Sequence, residues 1–352
     1  MLDVRKMQLL RELARHGTIA AVAQAQFCTP SAVSQQLSAL EREAGVPLIR
    51  RNGRGVELTA AGADLADRTG PVLALLEEAA AALAASRTEL AGELRIGAFQ
   101  TAVRALLPAA LVALGTEHPR LELRVTELDP AQVPDALRAG ALDIALVHEY
   151  DYVPAEPDPG LRTEPLLEET VFLAAAAEPG TGEPGTGESG TRESGTRESG
   201  TAERGQVVIA SGEDARSQPL TAARAEPWIV ASPGTLCHLM ALRLCQEAGF
   251  TPRIRHYADD FAAVLTLVAA GQGVALVPEL ALADRPDGVS LIPLAARRRT
   301  LIACRAAASA HPAVTACAAA IQAAAAGYRA GGLVHRRSSA RSADVQTVVV
   351  SR

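Results

Sequence analysis

The sequence predicts a multidomain α/β protein with a small helical head, one long helix and a larger region of alternating strands and helices. Apolar residues repeat at helical spacing up to about residue 90, and from Leu94 short apolar runs alternate with helical segments. The 352 residues, 48% of them hydrophobic, suffice for two or three domains with their own cores. The sequence contains no uninterrupted apolar run of the about 18 residues that a membrane span needs.

The head begins with three predicted helices. The first spans Val4 to His16, with Met7, Leu10 and Ala14 on one face, and Gly17 ends it. Thr18 is a suitable N-cap for a second, short helix, Ile19 to Ala25.

Thr29 is the N-cap of the third predicted helix, and Pro30 occupies its first position, where a missing N–H costs nothing. The apolar residues of this helix repeat at helical spacing and form its buried face: Val33, Leu37, Leu40 and Ala44. Its outward face consists of small polar residues: Ser31, Ser34, Gln35 and Ser38. Gly45 ends the helix.

A β-hairpin is predicted next, because two short strands flank the turn Asn52-Gly53-Arg54-Gly55. Three helices and a hairpin make a winged helix-turn-helix over residues 1–58, and the polar face of its third helix suits the DNA major groove. Residues 1–58 carry eight Lys/Arg and five Asp/Glu, or +3, whereas the whole chain carries −6. The remainder, at −9, is acidic, so attraction for phosphate is confined to the head.

A long alanine-rich helix is predicted over residues 59–90, with Thr59 as its N-cap and a kink at Pro71. Its apolar residues form a seam too narrow for the core of a monomer, which predicts self-association with a second copy. The seam consists of Leu65, Val72, Leu76, Ala79 and Leu83.

The region from residue 91 to 327 is predicted to hold two linked α/β units with a mostly parallel sheet. Strands LRIGA, LELRVTE and LDIALV alternate with helices at Ala102–Glu117 and Ala131–Ala139, and a second series starts near Val171. We assign residues 91–166 and 292–327 to lobe I and residues 167–291 to lobe II. A cleft between two such lobes fits a small-molecule binder.

Two segments are predicted to be disordered. Residues 178–205 are a five-residue low-complexity repeat without a hydrophobic side chain larger than alanine, so burial cannot offset the entropy of ordering them. The basic, serine-rich tail over residues 328–352 is predicted to be disordered as well.

The segment TIAAVAQAQFCTPSAVSQQLSALEREAGVPLIRRNGRGVELTAAG resembles the N-terminal motif of LysR-type transcriptional regulators. LRIGA, EPWI, EAGF and GVALVP resemble further segments of that family in the same order, so the likeness covers nearly all of residues 1–327. The resemblance implies a periplasmic-binding-protein-like effector domain and a dimer of dimers. It fails at the repeat and at the tail.

The resemblance also assigns roles to residues of the head. Ser31, Ser34 and Gln35 match the positions that read bases, while Thr29 and Gln36 match neighbours that hold phosphate. The predicted DNA-binding set is completed by the capping residue Thr18 and by two basic wing positions, Arg50 and Arg54. Pro30 stands where many members carry glutamine, and Gln35 stands where arginine is frequent, which brings adenine within reach.

Candidate effector contacts lie where strands end and helices begin. Gln100 and Thr101 follow the first strand of lobe I, where helix N–H groups suit a carboxylate or another polar ligand. The other candidates follow the third strand or the matching turn of lobe II: His148, Glu149, Ser232, Pro233 and Thr235. The alternative reading stays open, in which the threonines only cap helices and His148 is an ordinary loop histidine.

The five cysteines form no CxxC pair, which suits a reducing compartment and argues against structural zinc. Cys237 and Cys245 lie in the helix where peroxide-sensing family members keep two cysteines. Eight helical residues separate them by about 12 Å, too far for a disulfide without unwinding the helix. We therefore predict no redox sensing.

The sequence thus predicts a DNA-binding transcriptional regulator controlled by a small molecule bound between the lobes. Its predicted partners are double-stranded promoter DNA, the effector, a second copy bound through residues 59–90, and RNA polymerase if it activates. A ligand-independent repressor remains an alternative, and a solute-binding protein is a weaker one. The sequence contains no catalytic, metal or cofactor motif, and the N-terminus lacks a signal-peptide core, which predicts a cytoplasmic protein that is not an enzyme.

Overall fold

The structure, a computed structural model, describes residues 1–26, 28–52, 55–86, 89–154, 157–177, 218–283 and 285–339. The helices are α1 (Val4–His16), α2 (Ile19–Ala25), α3 (Pro30–Ala44), α4 (Ala60–Ala85), α5 (Gln100–Ala105), α6 (Leu107–Glu117), α7 (Val133–Arg138), α8 (Gln218–Ala222), α9 (Leu236–Glu247), α10 (Phe261–Ala269) and α11 (Pro312–Ser339). The strands are β1 (Ile49–Asn52), β2 (Gly55–Leu58), β3 (Gly92–Ala98), β4 (Leu121–Glu127), β5 (Ile144–Tyr150), β6 (Leu161–Ala176), β7 (Pro227–Val230), β8 (Arg253–Tyr257), β9 (Ala275–Pro278) and β10 (Val289–Arg305).

The chain divides into two compact units. The first comprises Met1–His148, Glu156–Leu167 and Thr300–Tyr328, and the second Glu149–Ala155, Glu168–Arg299 and Arg329–Arg352. The head, α4 and most of the predicted lobe I therefore belong to one unit. The boundary within β10 falls after Arg299 rather than at residue 292, where the sequence places the return to lobe I.

The head folds as the sequence predicts, with three helices followed by the antiparallel hairpin β1–β2. Each predicted cap is made: Thr18 accepts a hydrogen bond from the N–H of Ala21, and Thr29 accepts one from the N–H of Ala32. The core of the head is formed by side chains from the three helices, the start of the wing and α4: Met7, Leu10, Leu13, Val22, Ala23, Val33, Leu37, Leu40, Leu48 and Ala66. Ala14, which we expected to be buried, is exposed, and Leu13 takes its place in the core.

Helix α4 ends at Ala85, a few residues before the predicted end near Leu90, and it contains Pro71. The predicted seam divides along its length. Leu65 packs against the core of the head, whereas Leu76 and Leu83 are 51% and 71% exposed. Further along, Glu77 of α4 forms an ion pair with Arg305 at the end of β10.

In the α/β part of the first unit, β3 lies between β4 and β5 and is parallel to both, as predicted. The helix expected at Ala102–Glu117 is two helices, α5 and α6, because Leu106 departs from regular helical geometry with a φ of −115°. The second expected helix begins as a 3₁₀ turn, Pro130–Gln132, and continues as α7. Helix α7 contacts the head, since the Gln8 side chain donates to the Arg138 carbonyl at 2.8 Å.

The second unit differs from the predicted mostly parallel arrangement, because it is mixed: β7 and β8 are parallel, but β6 and β9 are antiparallel. The strand order of the six-stranded sheet is β4-β3-β5-β10-β6-β9. The two long strands, β6 and β10, each have some residues in the first unit and the rest in the second. An antiparallel neighbour is not visible in a run of apolar residues, since a buried strand reads the same in either direction.

Helix α11 continues to Ser339, within the tail that the sequence predicts to be disordered, and the disorder of this tail stays a prediction. Residues 340–352 and the low-complexity repeat at 178–205 lie outside the described residues. Within the described ranges, none of the helices has the length and apolar character to cross a membrane.

Candidate functional site

The exposed face of α3 is the first candidate site. Ser31, Ser34, Gln35 and Ser38 lie three or four residues apart, so they share one side of the helix. Ser31, Gln35 and Gln36 are exposed, and Ser34 is half-buried. The opposite side of α3 packs into the core through Val33, Leu37 and Leu40, which fixes the polar side outward.

The hydroxyl groups of this face are already engaged in local hydrogen bonds. Ser34 donates to the Pro30 carbonyl at 3.0 Å, and the hydroxyls of Thr29 and Ser31 lie 3.1 Å apart. Thr18 and Thr29 also serve as the helix caps that the sequence predicts, so their hydroxyls already accept backbone hydrogen bonds from Ala21 and Ala32 in the free protein. The glutamine at 35 is an exposed amide that can both donate to and accept from a base edge.

The wing supplies the second part of the candidate interface. Arg50 lies opposite Glu57 in the hairpin, and its Nε and Nη2 donate to Glu57 at 3.2 and 3.0 Å. The Asn52 amide also donates to Glu57. Hydrogen bonds from Asn52 and Arg50 hold the pKa of the Glu57 carboxyl below its ordinary value, so this carboxylate stays ionised at neutral pH. Because the pair is exposed to solvent, it is weak. Arg54, the other predicted wing residue, lies outside the described residues.

Three predicted effector contacts lie in the first unit. Gln100 begins α5 and is half-buried, and Thr101 follows it with 4% of its surface exposed. His148 does not follow the third strand, as we expected, but lies inside β5, where it is 4% exposed. Its ring contacts the edge of Phe99, with the ring centroids 4.7 Å apart. His148 is thus a buried strand residue and not an ordinary loop histidine.

The other four predicted contacts lie in the second unit. Glu149 is also inside β5, and its carboxylate accepts a hydrogen bond from Arg299 Nε at 2.9 Å. Ser232 follows β7, and its N–H and hydroxyl both donate to Asp259 at 2.7 Å. The exposed Pro233 lies in the same turn, and Thr235 is the N-cap of α9, as the capping alternative proposed.

The two cysteines of interest both lie on α9. Cys245 is buried, and that burial raises the pKa of its thiol to about 12. Cys237 is half-buried, with its sulfur 3.4 Å from the Tyr150 hydroxyl. A thiol with a pKa as high as that of Cys245 is rarely ionised at neutral pH and is a poor nucleophile toward peroxide.

Sequence reasoning missed two acidic residues whose hydrogen bonds join different elements of the fold. Glu169 of β6 pairs with Arg298 of β10 at 2.6 Å, and both side chains are almost fully buried. Glu41 of α3 binds backbone N–H groups at the start of the wing. The run of three arginines at 297–299 inside a strand is a signal for the first pair. Successive strand side chains point to opposite faces, so such a run turns at least one arginine toward the buried face, and a buried arginine needs a partner.

A winged helix-turn-helix joined by a long helix to an α/β region is the arrangement of one class of DNA-binding transcriptional regulators. Two protein-family sequence models match the chain. The family model described as bacterial regulatory helix-turn-helix protein, lysR family, matches residues 4–63, and the family model of the LysR substrate binding domain matches residues 87–184 and 198–326. The chain therefore belongs to the LysR family of transcriptional regulators, as the sequence motifs predicted.

Named relatives agree with this assignment. The chain is 30% identical over 300 residues to the HTH-type transcriptional regulator TfdS of Cupriavidus pinatubonensis, covering 84% of this chain and 88% of the relative. It is also 30% identical over 253 residues to a probable hydrogen peroxide-inducible genes activator of Mycobacterium avium, covering 71% and 70%. The solved structure of a full-length OxyR variant from Pseudomonas aeruginosa has the same fold, with a TM-score of 0.54, 20% identity, and coverage of 92% of this chain and 98% of that one.

Proposed function

We propose that this regulator reads promoter DNA with the polar face of α3, while arginines of its wing bind phosphate or the adjacent minor groove. The observation that carries the proposal is the exposed row Ser31, Gln35 and Ser38 on a helix whose other side is buried. Gln35 supplies the main base contact, because its amide can bond two atoms of an adenine edge. Ser34 makes a weaker contact, because its hydroxyl donates to the Pro30 carbonyl and can only accept a hydrogen bond from a base.

Two further predicted contacts of the head serve as helix caps that also face phosphate, namely Thr18 and Thr29. Gln36 is the phosphate contact on the flank of α3, and Arg50 and Arg54 act from the wing. The net charge of +3 over residues 1–58 supports phosphate binding at this end of an acidic chain.

A gel-shift titration tests the base-reading role. The probe is the intergenic duplex upstream of the protein's own gene, and the competitor is random duplex of equal length. We expect S34A/Q35A to lose most of the preference for the cognate probe, roughly 10- to 100-fold, as one bidentate base contact predicts. The matched control is Gln246→Ala, an exposed glutamine on α9 of the second unit, which should leave the preference unchanged. An intact preference in S34A/Q35A would contradict the proposal.

We further infer that the substrate-binding domain controls the head through a small-molecule effector. The candidate contacts remain Gln100, Thr101, His148, Glu149, Ser232, Pro233 and Thr235, and binding between the lobes remains a prediction from the family resemblance. Buried polar side chains such as Thr101 and His148 support a polar ligand group at these positions. A regulator of this kind works in the cytoplasm on promoter DNA and, if it activates, with RNA polymerase.

Thermal unfolding with a panel of metabolites separates this proposal from a ligand-independent repressor. A true effector raises the melting temperature in proportion to the logarithm of its concentration, since it binds only the folded state. A panel without such a compound favours the repressor. A solute-binding protein would have no use for the head, and the family model and relatives that the chain matches are those of transcriptional regulators.

Control by peroxide is not part of the proposal. The raised pKa of Cys245 opposes it, and we expect peroxide to leave the affinity of the protein for DNA unchanged. A peroxide response in the gel shift that disappears in Cys237→Ser would contradict this expectation.

A further inference from the structure

The short segment between α3 and the wing is held from two sides. On one side, Oε1 of Glu41 accepts hydrogen bonds from the N–H groups of Leu48, at 2.9 Å, and Ile49, at 3.1 Å. Ile49 is the first residue of β1, so this single carboxylate oxygen of α3 binds the backbone at the point where the wing begins. Hydrogen bonds to an ionised acceptor are stronger than neutral ones and keep a narrow geometry.

On the other side, the start of α4 binds the same segment. The Thr59 hydroxyl donates to the Pro47 carbonyl at 2.8 Å, and the Thr59 N–H donates to the Leu48 carbonyl at 2.9 Å. Gly62 approaches so closely that a Cβ at this position would lie 2.0 Å from the Leu48 carbonyl oxygen. The Leu48 side chain, only 2% exposed, is anchored in the core of the head.

These contacts leave the base of the wing little freedom relative to α3. The next residue of β1 is Arg50, whose guanidinium is the described wing cation of the proposed interface. A small rotation at Leu48 and Ile49 would displace Arg50 by a larger distance, because the side chain extends from the hairpin. Losing the carboxylate would also leave two part-buried N–H groups without their acceptor.

We propose that Glu41 is a positioning residue for DNA recognition, which fixes the wing relative to the recognition helix so that Arg50 meets phosphate while α3 lies in the groove. This inference rests on the proposed function of the wing. Glu41 itself makes no contact with DNA. Its effect passes through the backbone of Leu48 and Ile49.

The test is a double-mutant cycle on DNA binding, read as the dependence of affinity on salt. Each phosphate contact contributes about 0.9 to the slope of log affinity against log salt concentration. We expect Arg50→Ala to reduce the slope by about 0.9 when Glu41 is present, and Glu41→Ala to reduce it by a similar amount. Adding Arg50→Ala to Glu41→Ala should then change the slope no further.

Glu43→Ala is the matched control. Glu43 lies on the same helix and carries the same charge, but its carboxylate accepts from the Asp3 N–H at 3.0 Å and pairs with Lys6, so it contacts α1 and not the wing. Both variants remove one negative charge from α3, and only Glu41→Ala should lower the slope. Glu41→Gln keeps an oxygen acceptor at the same position, so its salt slope should lie between that of Glu41→Ala and that of the unaltered protein.

The outcomes separate the two proposals. If Arg50→Ala leaves the slope unchanged in the otherwise unaltered protein, the phosphate-binding role of the wing fails and the positioning role falls with it. If Arg50→Ala lowers the slope equally with and without Glu41, the wing role stands and the positioning role is overturned. Should Glu41→Ala fail to fold by circular dichroism, the cycle is run with Glu41→Leu, which also lacks the acceptor but keeps more of the side-chain volume, and a full additive effect of Arg50→Ala again overturns the inference.

Discussion

Single residues of the head serve two purposes at once. Thr29 caps α3, and its hydroxyl lies beside that of Ser31, so the capping residue also orders the first exposed polar side chain of the helix. Ser34 gives its proton to the Pro30 carbonyl, which limits what it can offer a base. In the proposed interface, α3 therefore offers a base fewer hydrogen-bonding groups than its sequence suggests, and the proposal assigns the main base contact to Gln35.

Gly62 shows how one residue can be required by a close approach of two elements. Glycine inside a helix is usually less stable than alanine by about 0.5–1 kcal/mol. Gly62→Ala should nevertheless destabilise the protein by about 1–3 kcal/mol, because the added Cβ would lie 2.0 Å from the Leu48 carbonyl oxygen. Urea unfolding followed by circular dichroism measures the effect.

The control for this substitution is Gly115, a helical glycine of α6 with no atom within 4 Å of the position that a Cβ would take. Gly115→Ala should raise the free energy of unfolding by about 0.5–1 kcal/mol. Equal effects of the two substitutions would show that the contact between Gly62 and Leu48 is not required.

At the scale of elements, β6, β10 and the turn after β9 are joined by one buried ion pair. Arg298 Nε donates to Glu169 Oε1 at 2.6 Å, and Glu169 Oε2 accepts the Leu280 N–H at 2.6 Å. Removing one member of a buried pair leaves the other charge without its main compensation in a medium of low polarity. The carboxylate therefore fixes how these elements of the second unit meet.

Glu169→Ala should lower the free energy of unfolding by about 3–5 kcal/mol. Its neighbour Glu168 is exposed on the same strand, and Glu168→Ala should change the stability by no more than about 0.5 kcal/mol. Thermal and urea unfolding of the two variants provide the comparison. A Glu169→Ala protein as stable as Glu168→Ala would contradict a structural role for the ion pair.

At the scale of the whole molecule, α4 presents apolar side chains that this chain alone does not cover. Leu75, Leu76 and Leu83 are 65%, 51% and 71% exposed. Burying a leucine side chain is favourable by about 1.5–3 kcal/mol, so covering these leucines favours association of α4 with a second copy of the protein. We propose that this half of the seam binds a second copy, while Leu65 belongs to the core of the head.

Leu83→Asp should therefore shift the protein toward monomer and weaken its binding to a two-half-site operator. Light scattering after size-exclusion chromatography gives the mass, and a gel shift gives the affinity. The matched control is Val112→Asp, since Val112 is 72% exposed on α6 and lies outside the seam. If Leu83→Asp keeps the mass of the unaltered protein, α4 is not the dimer interface.

Sequence motifs were sufficient to predict the family. The helices of the head, their caps and the hairpin were predictable because they depend on residues three or four positions apart or on a tight turn. The caps at Thr18 and Thr29 and the outward face of α3 follow from such local rules. The start of α5 and the turn after β7 were also located along the chain, since strand ends are marked by a change in pattern.

Which elements contact one another became clear from the three-dimensional structure and not from the sequence. It placed His148 inside β5, made β9 antiparallel to β6, divided the α4 seam between the core and the surface, and joined Glu41 to Leu48 and Glu169 to Arg298. These features depend on hydrogen bonds and packing between different elements, most of which lie far apart in the chain. Periodicity records which side of an element is apolar, but not which other element will cover it.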